Sequence, residues 1–188
     1  MLEVGQASIR QQGIDNVELR EEDMTRLAGI ADRSVDVVIS SMALHHLADL
    51  AQLEATFRNI ARVLRNDRAI YLNDFGRLKS VESVDYFVSR ASDGADQATL
   101  LDYRNSLLAA FSLEEFQPLA ASYLGPCAKV YSTAVSPLMM VIRTPKRRCV
   151  AAMKGEFRRR YRDLPRSRRA DVDQLRLFLG MGGLASAF

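Results

Sequence analysis

The stretch VDVVISSMALHHLAD, residues 35–49, decides how this chain folds. Its first six residues are β-branched and almost continuously apolar, the pattern of a strand buried on both faces of a parallel sheet. Asp49 then opens a helix, with Gln52 three residues on as its capping partner. Leu50, Leu53, Phe57, Ile60 and Leu64 fall on one face of that helix at steps of three and four. Asn66-Asp67 makes a turn, and Ala69-Ile70-Tyr71-Leu72 forms a second buried strand. Upstream, Val17 to Arg20 predicts a strand running on to residue 22. Before it, Met1 to Gln12 predicts a helix stopped at Gly13. Strands alternating with a helix of this length imply βαβ crossovers, hence an α/β fold with a parallel sheet.

Working outward toward the C-terminus, residues 80–92, 96–110 and 112–123 predict three helices, the last opened by Ser112 and Glu115 as a capping box. Such a block, about 78–122, inserted after a sheet strand suits a lid over a ligand. Residues 129–133 and 138–143 predict a closing strand pair, broken by Ser136-Pro137. The tail predicts two helices. Val150, Met153, Phe157 and Tyr161 line one face of the first; the second opens at Asp171 with Gln174 and stops at Gly180. The expected organisation is a domain over 1–145 and an extension over 146–188.

The 188 residues are 48% apolar and 26% charged, ordinary for a globular protein. Two cysteines, Cys127 and Cys149, are too few for a disulfide framework. No run approaches the roughly 18 apolar residues of a membrane span, and MLEVGQASIR is no signal peptide; a cytoplasmic protein is the expectation. The net charge of +3 conceals an asymmetry. Residues 146–169 hold eleven Lys or Arg against Glu156 and Asp163, a surplus of nine, which leaves the remainder at −6. The cluster from Arg158 to Arg169 has three readings: a nucleic-acid contact, an anionic membrane surface, or a solvated helix face.

Asp23-Met24 after a strand, VDVVISSMALHHLAD, NIARVLR at the end of a helix, and YLND in the next strand together resemble the class I S-adenosylmethionine-dependent methyltransferases. The resemblance covers residues 1–75 and extends to the hairpin at 129–143. It implies a Rossmann-like sheet whose cofactor lies at the carboxyl ends of the strands. It further implies that Asp23 accepts a hydrogen bond from the adenine amino group, that Met24 packs on the ring, and that Ser41 touches the cofactor. His45 and His46 are the only histidines; adjacent residues do not face one another on a helix, so no shared metal is expected. The resemblance makes His46 a cofactor-edge residue. Asp74 stands at the carboxyl edge too, either near the transferred methyl or capping the turn at Gly76. Tyr86, Tyr103 and Arg104 are the candidate lid contacts.

The chain departs from the family pattern in a minor way at Asn66-Asp67, which replaces a usual glycine pair, and more seriously at its start. The ten glycines include no GxGxG after a strand, and no acid follows for the ribose hydroxyls. The first two strands of the family sheet are thus expected to be absent, as in a truncated chain. The strand at 17–22 would then be parted from that at 35–40, leaving an apolar edge open to self-association. The expected function is methyl transfer to a small-molecule substrate, with S-adenosylmethionine bound weakly or not at all. The alternative is a non-catalytic binding or assembly module that uses its basic tail.

Overall fold

The computed structural model describes residues 2–92, 94–145 and 151–184. Strand β1 (Val35–Ser41) pairs in parallel with β2 (Leu64–Phe75), in register from Val37 opposite Ala69 to Ser41 opposite Asn73. The crossover between them is α2 (Leu50–Val63), which follows α1 (Leu2–Gln11) in the chain. The cap of α2 is the one its sequence predicts: Asp49 accepts from the Gln52 N–H at 2.9 Å, and Gln52 takes the Ala48 N–H at 3.0 Å. Two more strands complete the sheet. β4 (Met139–Arg143) lies antiparallel on β2, and β3 (Lys129–Ser132) antiparallel on β4, in the order β1-β2-β4-β3.

One face of this sheet carries the core. Leu53, Phe57 and Ile60 of α2 pack on Ile70, Leu72, Met140 and Ile142. They are joined by Phe116 from α5 (Leu113–Leu119) and by Ala120 and Leu124 from the π-helical turn that continues it. Phe57 and Phe116 stack at 6.2 Å. Burying side chains of this size stabilises a fold by roughly 2–3 kcal/mol each. Tyr123 donates to Glu54 across the α2 surface. A smaller cluster of Leu78, Val84 and Leu107 joins α3 (Val81–Arg90) to α4 (Gln97–Ala109).

The structure differs from the sequence reading in five places. Residues 17–22 form no strand: β1 closes the sheet on that side and is not their ladder partner, so an extended backbone there has nothing to bond. β1 is not buried on both faces. Val37 and Ile39 are 49% and 71% exposed, because no described element covers that side of them. Asn66-Asp67 is not a free turn but lies inside β2, where the pairing jumps from Leu64 to Ala69 while β1 advances from Val35 to Val37. The predicted helix 112–123 is divided, with Pro118 inside α5 and wider turns beyond it. The last helix, α7 (Arg166–Met181), starts at the Pro165 cap, five residues before Asp171.

The other tail helix is α6 (Ala151–Asp163); Cys149 and Val150 lie outside the described residues. Tyr161 of α6 donates to Asp173 of α7 at 2.6 Å, and the Phe178 carbonyl of α7 accepts from the Ala134 N–H beside β3 at 3.0 Å. Among the described residues, no helix is long and apolar enough to cross a membrane, and no group of three or more acid, His or Cys side chains is placed to hold a metal ion.

Candidate functional site at the carboxyl ends of β1 and β2

The two parallel strands end side by side, and one carboxylate organises what lies beyond them. Asp74 is 1% exposed. Its Oδ2 accepts from the N–H groups of Ala43 at 2.8 Å and Leu44 at 2.6 Å. Its Oδ1 accepts from the Phe75 N–H at 2.7 Å and lies 2.6 Å from His45 Nδ1. A buried carboxylate persists only when its lone pairs are met in this way. Asp74 therefore neither caps the turn at Gly76, whose N–H bonds Leu138, nor faces the crevice. It clamps the turn Leu44–His46 to the end of β2. Between strand and turn, Met42 adopts φ 55°, a left-handed conformation rare for its type, and donates its N–H to Asn73 at 2.9 Å.

The histidines divide their surroundings. His45 is buried on Asp74, and its ring lies 5.3 Å from Phe75. His46 is exposed, with its ring 4.2 Å from His45. Phe75 in turn meets Tyr103 at 5.6 Å, and α4 packs on the Leu44–His46 turn, so the helical block reaches this edge. Burial raises the Tyr103 phenol above its usual range, keeping it neutral at physiological pH. Arg104 pairs with Asp85 at 3.1 Å and lines a hollow of about 630 Å³ between α3 and α4. Tyr86 is exposed.

Asp23 and Met24 belong to the loop that precedes β1. Asp23 Oδ1 accepts from the Thr25 hydroxyl at 2.7 Å and its N–H at 2.8 Å. These bonds, with Arg26 nearby, hold the exposed carboxyl below the usual carboxylate range. Met24 is half-buried and packs on the core, while Ser41 is exposed at the end of β1. Among the described residues no hydrogen bond links Asp23 to Ser41 or His46; the structure joins Ser41, the histidines and Asp74 at one edge and holds Asp23 on a separate loop.

What holds that loop is Arg62, from the NIARVLR segment. Its guanidinium donates to the carbonyls of Leu27 at 2.9 Å, Ile30 at 3.0 Å and Arg26 at 3.2 Å, and to Asp32 at 2.5 Å. Asn59, one turn earlier, donates to the Thr25 carbonyl at 2.7 Å. Leu27 needs this support, since it sits at φ 45°. The sequence marked the segment only as part of a family pattern; the i, i+3 spacing of Asn59 and Arg62 on the helix face opposite the apolar stripe was the available signal.

A sheet with a βαβ crossover, a helical block packed over its carboxyl edge and an antiparallel closing hairpin defines a Rossmann-like α/β fold. Residues 1–72 match the family model described as a methyltransferase domain. No curated protein matches. Similar solved structures include the YcgJ protein of Bacillus subtilis, at 22% identity and TM-score 0.49 over 69% of this chain and 49% of that one. The PH0226 protein of Pyrococcus horikoshii is 15% identical, at TM-score 0.48 over 75% and 65%. An S-adenosylmethionine-dependent methyltransferase of Aquifex aeolicus is 11% identical, at TM-score 0.47 over 74% and 60%. The chain thus spans less than two thirds of each of these proteins.

Proposed function

We propose that residues 1–145 carry one side of an S-adenosylmethionine site and serve methyl transfer to a small molecule, with residues 146–188 as a separate basic extension. The observation that carries this reading is the Asp74 clamp. It fixes the turn Leu44–His46 beyond β1, under α4, where a ligand of an open α/β sheet lies. The side chains present fit an adenine nucleoside. Asp23 offers a carboxylate whose Oδ2 accepts no hydrogen bond among the described residues, with Arg26 at 3.7 Å, and so retains lone pairs for an exocyclic amine. Ser41 and His46 offer exposed polar groups at the strand end.

When bound, the cofactor would supply an electrophilic methyl on a sulfonium: the acceptor's lone pair would bond the methyl carbon in line as the carbon–sulfur bond broke and the neutral thioether left. The chain's task is orientation and the exclusion of water. Asp23 and Met24 would hold the base, Ser41 and His46 the crevice wall, and Tyr103, on the Phe75 ring, the side toward the acceptor. No glycine-rich turn follows a strand to approach the methionine portion, so weak binding is expected. Calorimetric titration of the chain with S-adenosylmethionine tests the reading: affinity weaker than low micromolar, lowered a further ~10-fold by Asp23→Ala, the loss of one charge-assisted hydrogen bond of about 1.5 kcal/mol. Binding that ignores Asp23→Ala would overturn the adenine assignment.

A further inference from the structure

The two tail helices place their charges unevenly. Lys154, Arg158 and Arg162 follow at steps of four and form one stripe along α6. Glu156, on the other side, pairs with Arg159 at 2.5 Å and Arg160 at 2.8 Å, so one carboxylate is shared between those two cations. Lys154, Arg158 and Arg162 have no carboxylate partner among the described residues. Arg176 of α7 closes on the same stripe, and together Arg158, Tyr161, Arg162 and Arg176 line a groove of about 500 Å³. Among the described residues, Asp173 is the acid that reaches this groove. It is shared between the Tyr161 hydroxyl at 2.6 Å and Arg176 at 3.8 Å. The Tyr161 phenol is raised mainly by the bond to Asp173, and Arg169 and Arg176 pull against it, which puts Arg169 within reach of the same spot.

We propose that this helical hairpin docks the phosphodiester backbone of a nucleic acid. The surplus of guanidinium over carboxylate in one groove calls for an anion. The stripe calls for a polymeric one, since Lys154 to Arg162 rises about 12 Å along the helix, enough to face about three phosphates of a strand at ~3.4 Å each. A membrane surface fits less well. Of the apolar row, Tyr161 is tied to α7 through Asp173, while Met153 and Phe157 are 52% and 46% exposed, two half-covered side chains and not the broad apolar face that lies in a bilayer interface. This surface goes beyond the methyltransferase reading and stands or falls independently of it.

The test is fluorescence anisotropy of the full chain with a labelled duplex DNA and a single-stranded RNA of equal length, in rising salt. Binding in the micromolar range is expected, with log K falling against log salt at a slope of about −3 to −4 for four engaged cations. The double variant Arg158→Gln with Arg162→Gln should keep its helical circular dichroism, lose ~10-fold or more in affinity and flatten the slope by about two. Arg90→Gln, an exposed cation on α3, should leave binding unchanged. Absence of binding at about 50 mM salt, or binding that survives the double variant, overturns the proposal. So does capture of the chain by phosphatidylserine vesicles without affinity for either nucleic acid.

Discussion

Residues 35–75 and residues 14–34 both lie largely within the stretch that matches the methyltransferase-domain family, and they behave differently. The first segment builds a strand, a capped helix and a second strand, closed by Phe57 in the core and by Asp74 at the edge. The second contains a run that reads as a strand and forms none. The contrast teaches that a strand is a relation and not a property of a run of residues. VDVVIS finds β2 beside it and VELR finds no neighbour, although both carry β-branched residues.

The comparison breaks at its strongest point with Phe57→Ala. Phe57 is fully buried, and the truncation should cost about 3–5 kcal/mol in urea unfolding. A cost under about 1 kcal/mol would show that α2 is not the anchor of the sheet. Asp74→Ala should cost about 3 kcal/mol, because it strands the N–H groups of Ala43 and Leu44 and the His45 ring in a dry site. Its signature is selective loss of amide-exchange protection at residues 43–46. Arg62→Ala, about 1–2 kcal/mol after allowance for its partial exposure, should speed exchange at Leu27 and Ile30 and leave β1 and β2 protected. Smallest in stability is Val37→Thr with Ile39→Thr, within about 0.5 kcal/mol on the open side of β1. If the exposed strand pairs copies of the chain, sedimentation velocity should show that pair of changes shifting the protein toward monomer.

Much of the fold was legible because periodicity reports burial directly. The stripe of Leu53, Phe57 and Ile60 on α2, the Asp49 and Ser112 caps and the closing hairpin need only local spacing. What was not legible depends on which element lies next to which. The same VDVVIS pattern serves a strand covered on two faces or on one, and nothing in its residues distinguishes them. At the site, Ser41 was legible as a strand end. The division between His45, buried on Asp74, and His46, exposed, was not, because neighbours in a tight turn exchange places with a small rotation. Asp74 itself was recognisable as an edge carboxylate, but its partners are some thirty residues upstream and carry no mark beyond ordinary backbone N–H groups.

That separation sets an order in time. During synthesis the residues of the Leu44–His46 turn emerge before Asp74, and at about 5–20 residues per second the clamp follows them by roughly 2–6 s. Until then Met42 has no Asn73 carbonyl to hold it in its left-handed pose, and the end of β1 is unfinished chain. β4 arrives later still, so the far edge of β2 waits open after the near edge has closed. Chain order thus makes the β1–β2 pair and its crevice available for closure before the hairpin that braces them.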